Sequence, residues 1–109
     1  MRPVELLLWA LGRRRRVRIA GPSMAPSLRP GDHVLVDPRA FRGSAPQIGD
    51  VVLARHPHEP DRHVVKRVAA VSPSGIELRG DNPDLSTDSR EFGPIDARDV
   101  LGKVVARFP

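Results

Sequence analysis

From Arg16 onward, proline and glycine cut the chain into short runs in which apolar and polar residues alternate, the pattern of half-buried strands. The predicted strands are Arg16 to Ala20, His33 to Asp37, Asp50 to His56, Arg62 to Ser72, Gly75 to Gly80 and Val100 to Phe108. Between them, Pro30-Gly31-Asp32, Pro57-His58-Glu59-Pro60 and Ser72-Pro73-Ser74-Gly75 read as turns, with Gly75 supplying a positive φ. Two stretches fall outside the pattern, a Pro/Gly/Ser-rich loop over 38–49 and a dense polar loop over 81–97. The chain has 109 residues, enough for one small domain. The expected fold is therefore mainly β, a small antiparallel barrel-like sheet that leaves few edges exposed.

The segment Val4 to Leu11 is the exception to the β pattern. As a helix it would be roughly 12 Å long at about 1.5 Å per residue, far short of a bilayer core of about 30 Å. It is also too short, and too closely followed by arginines, for a secretory signal. Residues 1–12 are expected to form a short helix that packs Leu7, Leu8 and Leu11 on the domain; the alternative is a membrane-surface helix anchored by Trp9. Residues 13–109 form the domain proper.

The formal charge of +5 is local. Removing Arg13, Arg14, Arg15, Arg16 and Arg18 from the 18 basic residues leaves 13 against 13 acidic ones. With no cysteine, disulfides, thiolate metal sites and a cysteine nucleophile are excluded. Any nucleophile is Ser, Thr or Lys, and a titratable amine must be Lys66 or Lys103, because arginine stays protonated.

Three segments carry candidate chemistry. In Gly21-Pro22-Ser23-Met24-Ala25-Pro26, a serine between two prolines has a restrained backbone that suits an aimed hydroxyl, although a turn serine bonding to nearby backbone has the same pattern. In Val64-Val65-Lys66-Arg67-Val68, alternation places Lys66 with Val64 and Val68 and Arg67 on the other face, so one cation is pressed toward the core. A buried lysine loses hydration of its charged form and becomes a neutral base, whereas an exposed one simply snorkels. In Gly80-Asp81-Asn82 with Ser86-Thr87-Asp88-Ser89-Arg90, Asp88 and Arg90 suit a bidentate pair and Ser86 is left as an orienting hydroxyl; a solvated polar loop is the plainer reading.

In this order the three boxes resemble the type I signal peptidase family, over roughly residues 17–104. The resemblance implies a serine endopeptidase with a Ser/Lys dyad. Ser23 would be the nucleophile and Lys66 the general base, and Gly21, Pro22 and Met24 would frame the nucleophile and oxyanion box. Ser86 would orient the lysine, and Arg67, Gly80, Asp81, Asn82, Asp88 and Arg90 would support the loop. No metal or other cofactor is implied.

Three departures stand out. Gly21 occupies a position where some members carry an oxyanion-binding serine. Lys66 and Gly80 are joined by little more than one hairpin, where larger members insert a second β-region. No spanning helix precedes the nucleophile box. The last of these, in a short cysteine-free chain whose arginine run leads straight into the nucleophile box, is similar to the nickel-type superoxide dismutase maturation proteases, which implies removal of a leader from a dismutase precursor; general processing of exported proteins is the alternative.

The expected partner is a precursor bound as an added extended strand. The arginine tract is expected to touch anionic membrane, with the protein in the cytoplasm or peripheral at the inner face of the membrane. Two rivals weaken on inspection. A self-cleaving SOS-type repressor would need a DNA-binding module, and only about twenty residues precede the box. A nucleic-acid module built on the arginines lacks an aromatic stacking platform. His56, His58 and His63 could place imidazoles together, but spacing fixes no carboxylate ligand beside them.

Overall fold

The computed structural model describes residues 2–108. The chain forms α1 (Pro3–Ala10), then β1 (Arg15–Arg18), β2 (His33–Asp37), β3 (Val51–Arg55), β4 (His63–Ser72) and β5 (Gly75–Arg79). A single-turn helix α2 (Ser89–Phe92) precedes β6 (Val100–Phe108). All six strands belong to one antiparallel sheet in the order β1-β2-β6-β3-β4-β5. The sheet is a half-barrel whose edges, β1 and β5, do not pair with each other. The mainly β, barrel-like expectation holds, without full closure. β2 and β6 match the sequence reading residue for residue, and the other strands differ by one or two residues at their ends. His56 lies just past β3 rather than in it.

Alternation along the central strands gives each sheet face its own core. Leu53 packs with Val34, Val36, Ile19, Met24 and Leu28, while its neighbours Val52 and Ala54 pack with Val68, Ile76, Leu78 and Ile95. β4 and β5 form the expected hairpin with Gly75 at φ +129°. The connection between β1 and β2 is the loop over 20–32 that carries Ser23. It is closed at its base by bonds between Ile19 and Gly31/Asp32 and held from inside by buried Met24 and Leu28.

The N-terminal helix corrects one expectation. Pro3 opens it at a position that needs no N–H donor, but Leu7 and Leu11 are 58% and 65% exposed and Leu8 is only half-buried. The residue that α1 buries is Glu5, whose carboxylate receives Arg14 Nε at 2.8 Å. Arg14 also lies 3.5 Å from Asp37 at the end of β2. An ion pair, and not a leucine face, seats this helix. It also divides the arginine tract, because Arg14 turns inward while Arg13, Arg15, Arg16 and Arg18 stay exposed.

Candidate active site

The β4–β5 ladder reaches back only to Arg67, opposite Arg79, so the first part of β4 has no strand on that side. A cleft of about 470 Å³ lies there. Val17 to Met24 form one wall and Arg62 to Lys66 the other, with Leu85 and Thr87 also contributing. Ser23 and Lys66 therefore line one cavity, although they are far apart in the chain.

Lys66 is buried on the Val64/Val68 face, as alternation predicts. Burial lowers the pKa of its amine below the usual lysine value; nearby Asp88 opposes that shift and Arg62 adds to it. The amine donates to Ser86 Oγ at 3.1 Å, and Ser86 donates its hydroxyl proton to Asp88 Oδ2 at 3.1 Å. Because the Ser86 proton is committed to a carboxylate, Ser86 can only accept from the lysine. One N–H of Lys66 is thereby fixed, and in the neutral amine the lone pair remains available to the cleft.

Asp88 is fully buried and fully used. It accepts from the Gly80 N–H at 3.0 Å, from Ser86, from the Arg90 N–H, and from the Arg90 guanidinium at 3.0 and 3.1 Å. Burial alone would raise its pKa, but the Arg90 guanidinium and these other donors outweigh burial and hold the carboxyl at about 2. Arg90 also caps the Pro83 carbonyl, at 3.2 Å.

Three successive residues after β5 bind three different parts of the site. The Gly80 N–H goes to Asp88. The Asp81 N–H meets the Met24 sulfur at 3.4 Å, while the Asp81 carboxylate takes a two-pronged contact from Arg67 at 2.9 Å. That contact, with help from Ser27, lowers the Asp81 pKa below the ordinary carboxylate value. The Asn82 N–H donates to the Ser23 carbonyl at 2.8 Å. Gly80 allows the approach: a Cβ there would collide with Ser86 Oγ and stand 2.6 Å from the Ser23 carbonyl oxygen. Gly21, by contrast, faces open space.

The family described as "Signal peptidase, peptidase S26" matches residues 7–82. The chain belongs to the S26 signal peptidase family. The S26 match contains Ser23 and Lys66 and stops at Asn82, just before the loop that holds Ser86, Asp88 and Arg90. S26 members are serine peptidases, and the curated relatives are named as proteases. They include the mitochondrial ATP-independent inner membrane protease subunit 1a of Arabidopsis thaliana, 37% identical over 82% of this chain and 67% of the relative. Others are the mitochondrial inner membrane protease subunit 1 of Xenopus tropicalis and that of Homo sapiens, each 32% identical over 81% of this chain and 65% of the relative. The chain spans about two thirds of the length of these relatives. Their names are those of inner membrane proteases and not of dismutase maturation proteases.

The structure also places residues that the sequence did not single out for the site. Arg62, His63, Leu85 and Thr87 line the cleft, and Ser89 Oγ receives the Leu78 N–H at 2.8 Å, which ties the polar loop to β5. Position offers a signal for Arg62, which opens the predicted lysine strand and immediately precedes β4. The histidines do not converge on a site. His56 is buried with Nδ1 accepting the N–H groups of His58 and Glu59, and His63 Nδ1 faces Arg15.

Proposed function

We propose that the chain is a Ser/Lys endopeptidase that performs limited proteolysis, removing an N-terminal leader from a precursor protein. The observation that carries this reading is the buried Lys66 amine, held by Ser86 in the cleft that Ser23 shares. Ser23 Oγ attacks the scissile carbonyl while its proton passes to neutral Lys66. Charge developing on the carbonyl oxygen is met by the Ser23 backbone N–H. Lys66 then delivers the proton to the leaving amine, and in the second half-reaction it takes a proton from the water that hydrolyses the acyl-enzyme. Asp88 stays ionised throughout. Its role is to hold Ser86, and Ser86 holds the amine.

The substrate lies along the open edge of β4 as an extended strand, where unpaired main-chain groups take it up. The dismutase precursor is the substrate favoured by the sequence resemblance, supported by the single short hairpin between Lys66 and Gly80. The names of the relatives favour processing of proteins at a membrane instead. Incubating the purified protein with a leader-bearing dismutase precursor and with a secretory preprotein, followed by mass spectrometry, separates these readings. A cut in the first alone supports maturation of the dismutase, and a cut in the second alone overturns it. No cut in either by folded protein counts against the peptidase reading.

Peripheral membrane contact belongs to the same proposal. Among the described residues no helix is long and apolar enough to cross a membrane. α1 nevertheless exposes Leu6, Leu7 and Trp9, and Leu11 just after it is exposed too, beside the exposed arginines, a combination suited to an anionic lipid surface. Co-sedimentation with anionic vesicles, lost in a Leu7→Glu/Trp9→Glu variant, tests this contact.

A further inference from the structure

The cleft carries a charge pattern that the Ser23/Lys66 chemistry does not require. Its lining includes Arg18 on the β1 wall and Arg62 and His63 on the β4 wall, and among the described residues no aspartate or glutamate. Arg15 joins the same end, its Nη2 lying 3.4 Å from His63 Nδ1. Lys66, the other basic residue of the lining, is four positions further along the chain than Arg62, and burial favours its neutral form although Asp88 opposes this. Permanent positive charge is therefore concentrated away from the reacting centre.

Spacing locates that charge along a bound substrate. On the β4 wall the chain is extended and Arg62 stands four positions before Lys66, while Arg18 closes β1 on the other wall. At about 3.3 Å per extended residue, this end of the cleft faces the substrate about three to five residues from the bond that is cut. The carboxylate now nearest Arg62 is Glu59, at 3.1 Å, with both side chains more than half exposed. An exposed pair of this kind is weakly held, so an incoming carboxylate exchanges with it readily.

We propose that the cleft selects precursors bearing an aspartate or glutamate about three to five residues from the scissile bond, with Arg62 as the main contact and Arg18 facing it across the groove. The proposal rests on the peptidase reading, because it is the strand presented to Ser23 that Arg62 measures.

The test uses the full chain and alanine-rich peptides in which one Asp, Asn or Lys is walked along the sequence. Binding is read by fluorescence anisotropy on the Ser23→Ala variant, at low and high salt, and kcat/KM is read on the wild type. The Asp peptides should bind about 2- to 5-fold more tightly than their Asn counterparts at those positions, with the advantage shrinking at high salt. Glu59→Gln should increase the Asp advantage, and Arg62→Glu should reverse it in favour of Lys. The Asp-to-Lys ratio at one pH is the decisive quantity, since any effect of Arg62 on the Lys66 amine divides out. Equal binding of all three series at every position, or a preference that survives Arg62→Glu, overturns the proposal. Charge-selective binding without cleavage of any peptide by the wild type counts against the peptidase reading and reduces the proposal to a charge-selective groove; cleavage without charge selectivity rejects the selectivity alone.

Discussion

Gly80 lies directly against Ser86, so closely that a methyl group on Gly80 would occupy the space of the Ser86 hydroxyl. The same methyl would press on the carbonyl of Ser23. Gly80→Ala should therefore destabilise the fold by about 1–3 kcal/mol, the usual range for overpacking. It should lower kcat by tenfold or more, because displacement by about 1 Å costs on the order of 10²-fold in a positioned site. Urea denaturation and peptide hydrolysis measure the two effects separately.

Gly21 offers the opposite experiment. A side chain there meets nothing within 4 Å, so Gly21→Ser should leave stability within about 0.5 kcal/mol of the wild type. By the family resemblance it supplies the hydroxyl that helps bind the oxyanion. An increase in kcat with KM unchanged is the expected result. A fall in kcat would show that the backbone donors already fill that role and that the added hydroxyl obstructs them.

The pH dependence follows from the protonation state that the base requires. The proposed base Lys66 would have to act as the neutral amine, and burial lowers its pKa from 10.5, so kcat/KM should rise with pH and level off below that value. Arg62 contributes to the lowering. Arg62→Gln should accordingly shift the rising limb to higher pH. A profile that falls as pH increases from neutral would contradict the assignment of Lys66 as base.

Lys66 also bears on stability. A group whose pKa is lower in the folded state binds fewer protons there than in the unfolded chain, so between its folded pKa and 10.5 stability rises with pH. Lys66→Met removes this penalty while keeping a similar volume. The variant should be inactive yet melt at a higher temperature than the wild type at neutral pH. The gap should narrow as pH approaches 10.5, which differential scanning calorimetry at several pH values would detect.

Asp88 has the reverse sign. Its carboxyl titrates at about 2 in the fold and near 3.8 when free, so its contribution is present above the higher value and is lost as pH falls through the lower one. The contribution is of order 2 kcal/mol at neutral pH. Asp88→Asn should lower stability by about that amount at pH 7, and the two proteins should converge in strong acid. Loss of activity should accompany it, since the amide keeps one acceptor oxygen where Ser86, the Gly80 N–H and Arg90 together use two.

Much of this arrangement is legible in the residues. Alternation around Lys66 places it on a buried face, and the pairing of Asp88 with Arg90 follows from charge and spacing. The orientation of Ser86 is not legible, because the direction of its proton depends on Gly80, Arg90 and Asp88 meeting in three dimensions. The seating of α1 differs from what its leucines suggest. A helical pattern shows which residues are apolar, but the ion pair of Glu5 with Arg14 decided which face turns inward. The strand boundaries moved by a residue or two for a simpler reason: prolines and glycines mark where a run must stop, whereas ladder bonds decide where it does.

The division of the site between two loops has a consequence for biogenesis. Lys66, Ser86 and Asp88 all lie within residues 66–88, a stretch that can assemble around one hairpin. Ser23 comes from the loop between β1 and β2, and the Asn82 N–H bond to its carbonyl is a long-range closure. A chain that has made only its local contacts thus holds Lys66, Ser86 and Asp88 in one segment, and Ser23 joins them in the cleft only when the loop between β1 and β2 has closed onto residues 80–82.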